Sequence, residues 1–127
     1  MDKRKILIVE DDGFFRALIY KKFMKEGFDV TLAGEGKEAF EYLELNMPDV
    51  IILDLILPNM NGYEILSILK QDKKTSGIPV IILSNLGQQE EVEKAKSLGA
   101  EEFLTKVNFT LDDIVEKVKK VLKEKYI

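Results

Sequence analysis

Five short apolar runs, each separated from the next by a stretch with helical periodicity, constrain this chain more than any other feature. The runs are Ile6–Val9, Val30–Ala33, Val50–Leu53, Val80–Leu83 and the weaker Phe103–Thr105. β-Branched and aromatic side chains dominate them, which suits a packed, pleated surface. Between them the apolar positions return at helical spacing. Phe15, Leu18, Ile19 and Phe23 fall on one face, as do Ala39, Phe40, Leu43 and Met47, then Leu66 and Leu69, then Val92, Ala95 and Gly99, and finally Leu111, Val115, Val118 and Leu122. Strict β-α alternation over 127 residues predicts one domain with a parallel sheet and helices on both faces. Runs one, three and four are apolar without interruption, as buried central strands are, whereas runs two and five are mixed, as edges are. An order with two and five outside, and one beside three, satisfies this and the right-handed crossover rule.

Local signals agree with these boundaries. Pro48 and Pro79 precede runs three and four, and Gly27, Gly62 and Gly99 fall near helix ends. Thr110 is a candidate N-cap, followed by Asp112 and Asp113 where a helix dipole favours negative charge. Ile65, Leu66, Ile68 and Leu69 make the third helix apolar nearly all round, which fits either a contact patch or deep packing.

Composition narrows the chemistry. Lysine and arginine total 19 against 23 aspartates and glutamates, a formal charge of −4, which argues against a nucleic-acid surface. There is no cysteine and no histidine, so disulfides, thiolate zinc sites, thiol catalysis and imidazole bases or ligands are excluded. Carboxylates, hydroxyls, lysines and backbone remain. The longest apolar runs are four residues, far short of the roughly 20 that cross a bilayer. Lys3-Arg4-Lys5 is followed by an apolar stretch that ends at Glu10, too early for a signal peptide, so the expected location is cytoplasmic and no membrane partner is expected.

In an open parallel sheet, ligands bind beyond the carboxyl ends of the strands, where the strand order reverses. The residues that end these strands are therefore the candidates. Run one continues into Glu10-Asp11-Asp12, three carboxylates that repel one another unless a cation or hydrogen bonds intervene. Asp12 suits a helix cap. Run three continues into Asp54, a lone carboxylate among Val50–Leu53 and Leu55–Leu57, which needs a partner or nearby water. The turn Pro58-Asn59-Met60-Asn61-Gly62 follows, with Asn61 or Gly62 opening the next helix. Run four ends at Ser84-Asn85, on its own a common helix start, and run five at Lys106, on its own an ordinary surface charge. Taken together, an acidic pair, an aspartate, a hydroxyl and an ammonium at one sheet edge form a hard-oxygen cation site beside a carboxylate nucleophile, an arrangement suited to phosphoryl transfer with Mg²⁺.

These residues resemble the receiver domain of two-component response regulators. The resemblance spans residues 1–127 and rests on Ile6–Asp12, Asp54–Gly62, Ser84, Gly99-Ala100 and Lys106. It implies a flavodoxin-like (βα)5 three-layer α/β sandwich with strand order 2-1-3-4-5. It implies Asp54 as phospho-acceptor, and Mg²⁺ held by Glu10, Asp11, Asp54 and the backbone carbonyl of Ile56, with Glu10 acting largely through water. Ser84 and Lys106 would contact the phosphoryl group, and Phe103 would be the switch aromatic. A sensor histidine kinase or histidine phosphotransfer domain would be the donor, and an effector protein would read the surface of helix four, strand five and helix five. On that surface the charges of Glu90, Glu91, Glu93, Lys94 and the last helix fit either partner contacts or plain solvation.

The chain departs from the family pattern in three places. The family usually has a proline after the lysine with a cis bond between them. Here the pair is Lys106-Val107, and a cis bond before a non-proline costs about 2.5–4 kcal/mol, so a trans bond and an altered loop are expected. Asn85 stands where a small residue is usual, as a contact to the phosphoryl group or a restriction on Phe103. The positions two after Asp54 and two after Ser84 are Ile56 and Leu86, which cannot orient a water, so slow self-dephosphorylation is expected. The end of the chain at Ile127 leaves two expectations, a receiver that works through another protein or a piece of a longer one. Alternatives are a phosphorelay shuttle, an aspartate-nucleophile phosphatase of the haloacid-dehalogenase type, and a phosphorylation-independent interaction module. The phosphatase would need an acid two residues after the nucleophile, where Ile56 stands.

Overall fold

The computed structural model describes residues 3–126; Met1, Asp2 and Ile127 lie outside the described residues. Strands β1 (Lys5–Val9), β2 (Asp29–Ala33), β3 (Val50–Leu53), β4 (Val80–Ser84) and β5 (Glu102–Thr105) alternate with helices α1 (Gly13–Lys25), α2 (Gly36–Leu45), α3 (Gly62–Gln71), α4 (Gln89–Ser97) and α5 (Leu111–Lys125). All strand pairs are parallel, in the order β2-β1-β3-β4-β5. The mixed strands are the edges and the uninterrupted ones are central, as the sequence predicts.

Side-chain alternation along the strands divides the interior into two layers. Leu7, Val9, Ile51, Leu53, Val80 and Ile82 face α2, α3 and α4. Ile6, Ile8, Val50, Ile52, Ile81 and Leu83 face α1 and α5, where Phe23 and Phe28 pack edge to face at 5.1 Å. Each such fully buried side chain contributes about 1.5–3 kcal/mol, so the sheet is the rigid frame of the molecule.

The helices differ in how firmly they sit on it. α5 buries Ile114, Val115, Val118, Val121 and Leu122, and begins in a reciprocal capping box between Thr110 and Asp113. α3 buries Ile65, Leu66 and Leu69. Its apolar girth is therefore packing on three positions, while Ile68 is exposed. α4 buries only Ala95. It is tied to α3 through Tyr63, whose hydroxyl donates to the Glu91 carbonyl (3.3 Å) and whose ring lies 4.3 Å from the Lys94 ammonium.

Two expectations are corrected. Leu18 does not share the buried face of α1: Ile19 and Phe23, one turn apart, are the side chains turned to the sheet, and Leu18 is exposed. Met47 lies beyond α2, which stops at Leu45 ahead of Pro48, and it is exposed. Run four ends as the sequence reads, with Ser84 completing β4, and α4 begins at Gln89.

Candidate functional site

The register of the sheet brings the strand ends together. Val9 pairs with Leu53, Leu53 with Ile82, and Ser84 with Thr105, so Glu10, Asp54, Ser84 and Lys106 all leave the same edge. Backbone bonds fix this edge: the Asp54 amide donates to the Val9 carbonyl (3.1 Å) and the Lys106 amide to the Ser84 carbonyl (2.9 Å).

The acidic run divides its labour. Asp12 caps α1, accepting from the amides of Phe14 (3.0 Å) and Phe15 (3.3 Å). Glu10 turns inward and is buried, its Oε2 accepting the Asp12 amide at 3.1 Å. Asp11 is exposed. Asp54 is buried at the end of β3, with Oδ1 accepting the Ile56 amide at 3.3 Å. Carboxylate oxygens of Glu10, Asp11 and Asp54 lie within 4.8 Å of one another. Oxygens this close together can share one small cation, directly or through its waters, and hard oxygen donors of this kind suit Mg²⁺.

The Lys106 ammonium reaches two of these carboxylates, bonded to Glu10 Oε1 and, at 3.2 Å, to Asp54 Oδ2. It also lies 4.5 Å from the centre of the Phe15 ring. Burial pushes the Glu10 carboxyl above its ordinary pKa, and the nearby Asp54 charge adds to this, although the bond from Lys106 opposes it. Burial works against the Lys106 charge, but its bond to Glu10 and the charges of Asp54 and Glu10 outweigh it and raise the ammonium above its ordinary value. Three carboxylates against one ammonium leave the pocket net negative, a further reason for it to accept a divalent cation.

Ser84 is buried, and its Oγ accepts the Leu86 amide at 3.3 Å. Phe103 and Leu86 are both half-buried and pack on the α3–α4 layer, on the same face of the sheet as Ser84. Ile56 and Asn85 are exposed at the rim. No cis bond occurs among the described residues, so Lys106-Val107 is trans as expected, and the lysine still reaches the carboxylates.

Two participants escape a reading of strand ends alone. Phe15 looks like a core-face residue of α1, and nothing in its spacing announces a contact with Lys106. Arg16, whose guanidinium donates to the Glu10 carbonyl at 3.3 Å, carries no motif at all.

Residues 6–119 match the response regulator receiver domain family. Sporulation initiation phosphotransferase F of Bacillus subtilis (strain 168) is 36% identical over 122 residues, which cover 96% of each chain. The chain spans about half the length of the curated transcriptional regulators it also matches. Among solved structures, the receiver domain of Francisella response regulator 1452 superposes with a TM-score of 0.88 at 34% identity, covering 96% of this chain and 98% of that one. A CheY-like receiver domain protein from Methanospirillum hungatei JF-1 gives 0.90 at 25% identity, covering 98% and 97%.

Proposed function

This chain belongs to the response regulator receiver domain family of two-component signalling, and on that premise we propose that Asp54 accepts a phosphoryl group from a phosphohistidine donor. An Asp54 oxygen attacks phosphorus, the P–N bond breaks with its electrons returning to the imidazole, and an acyl phosphate forms on the chain. The observation that carries this reading is the convergence of Glu10, Asp11 and Asp54 oxygens around one point, with the Lys106 ammonium bonded to Glu10 and Asp54.

The side chains of Glu10, Asp11 and Asp54, with the carbonyl of Ile56, would hold Mg²⁺. Bound there, the ion supplies positive charge against the phosphoryl oxygens and lowers the repulsion that meets an incoming anion. Lys106 would add a second positive charge beside the phosphoryl group. The Ser84 hydroxyl gives up the Leu86 amide and donates to a phosphoryl oxygen. Phe103 then fills the space that Ser84 and its loop vacate. The new dianion can shift the α4–β5–α5 surface only by what it binds differently in the two states. Asn85 and Leu86 modulate the lifetime of the adduct, and Ile56, apolar and exposed, leaves an attacking water unoriented.

Residues 1–127 act in this reading as a single receiver unit in the cytoplasm. The chain accepts and stores the group and assists its own phosphorylation, rather than turning over a free substrate. No helix among the described residues is long and apolar enough to cross a membrane. The donor is a sensor histidine kinase or a histidine phosphotransfer domain, and the output is an effector protein that reads the switched surface. Similarity over nearly full length to a protein named as a phosphotransferase supports a second reading, in which the group passes on to a histidine phosphotransfer domain.

Incubation with acetyl phosphate and Mg²⁺ followed by intact-mass analysis tests the core of this. One phosphate adduct on the wild type and none on Asp54→Ala is expected. No adduct on the wild type, or equal adducts on both, overturns it in favour of an inert interaction module. Transfer from the phosphorylated chain to a histidine phosphotransfer domain separates shuttle from terminal switch.

A further inference from the structure

Lys106 leaves β5 with its backbone held by the bond from its amide to the Ser84 carbonyl (2.9 Å), so it is the side chain whose position needs an anchor. The residue after it, Val107, is 80% exposed and its backbone is free of ring constraints. The side chain is nonetheless only 10% exposed, because the ammonium reaches back to Glu10 and Asp54. Those two anchors are the carboxylates that would also hold the metal ion, and Asp54 is the group that would be phosphorylated. Both contacts therefore weaken when the site is used. The Phe15 ring, 4.5 Å from the ammonium, offers a different kind of anchor: its face attracts a cation yet binds no phosphate and competes for no metal. Its position is built in. Asp12 holds the Phe15 amide at the first turn of α1, and the ring packs against the α1–α5 layer.

We propose that Phe15 is a positioning residue for Lys106, its ring face keeping the ammonium over the site while Glu10 and Asp54 turn to the metal ion and the phosphoryl group. This rests on the reading of Lys106 as a phosphoryl-contacting residue.

Two measurements on the full chain test it. In the metal-free protein, the ε-methylene resonances of Lys106 are shifted upfield by the ring; Phe15→Leu abolishes the shift and Phe15→Tyr keeps it. With saturating Mg²⁺, Phe15→Leu slows phosphorylation by acetyl phosphate by about 2- to 30-fold, the range a lost cation–π contact supplies, while Phe15→Tyr stays near wild type. In a Lys106→Ala background, Phe15→Leu adds nothing further. Unshifted Lys106 resonances in the wild type, or equal slowing by Phe15→Leu with and without Lys106, overturns the proposal. Phe15→Met, also apolar and unbranched at Cβ, repeats both measurements if leucine disturbs α1. A Lys106→Ala variant phosphorylated as fast as wild type overturns instead the underlying role of Lys106, and the positioning role with it.

Discussion

Replacing Lys106 by methionine probes the electrostatics of the site most directly. The substitution keeps the length and apolar stem of the side chain and removes the charge between two buried carboxylates, Glu10 and Asp54, which are 3% and 6% exposed. Breaking a buried ion pair from one side costs about 3–5 kcal/mol, because the remaining charge is left uncompensated. Asp11 is exposed and water borders the cluster, so the lower end, about 3 kcal/mol, applies. At about 2.1 cal/mol/K of unfolding entropy per residue, this lowers the melting temperature of a 127-residue chain by about 11 °C. Mg²⁺ at a hundredfold excess over its dissociation constant returns about 2.7 kcal/mol, nearly the whole loss. In the wild type the same ion must displace the ammonium from Glu10 and Asp54, so its stabilising effect there is smaller. The pH dependence has a definite sign. Glu10 already has a raised pKa, and loss of Lys106 raises it further. A carboxyl that binds its proton more tightly folded than unfolded adds stability as pH falls through its folded value, so the deficit of the variant is larger at a higher pH than at a lower one. Thermal melts with and without Mg²⁺ at both pH values check this. A variant melting within about 3 °C of wild type in metal-free buffer, less than 1 kcal/mol, would refute the reasoning. So would an equal gain from Mg²⁺ in the two proteins.

Other residues give independent checks. The Thr105 hydroxyl is buried without a hydrogen-bond partner among the described residues, so Thr105→Val is expected to stabilise the metal-free protein by about 1 kcal/mol, read as a higher melting temperature; a lower one counts against the assignment. A Cβ on Gly62 would stand 2.6 Å from the Leu55 Cα, so Gly62→Ala is expected to cost about 1–3 kcal/mol and to slow phosphorylation of Asp54 by shifting its backbone. Ile56→Asn introduces a group able to orient water beside Asp54 and should speed loss of the phosphoryl group on the order of tenfold, measured as phosphate release; a wild type as fast as the variant removes the idea.

The fold was legible because its signals are local and repeated. β-Branched runs, helical spacing and caps at Asp12, Asn61 and Thr110 each determine one element, and the difference between mixed and uninterrupted runs orders the sheet. The strand-end candidates were legible for the same reason, since a parallel sheet delivers its carboxyl ends to one edge. Contacts that depend on side-chain direction were not. Whether Leu18 turns inward depends on which side chains of α1, here Ile19 and Phe23, are turned to the sheet. The meeting of Phe15 with Lys106 joins the first helix to the last strand, a distance in sequence that no periodicity bridges. The link from Tyr63 to α4 is equally silent, because a tyrosine in the first turn of a helix has no preferred partner until that neighbour is in place.

The light seating of α4 has a mechanical consequence. A helix that buries one alanine can slide or tilt without opening a void, and a shift of it gives up one hydroxyl bond and one ring–ammonium contact at Tyr63. Moving α5 would instead tear five aliphatic side chains from the sheet. Strain generated at the rim of β4 therefore has one soft direction in which to relax, and the amides of residues 89–97 should exchange with deuterium well before those of the helix behind them.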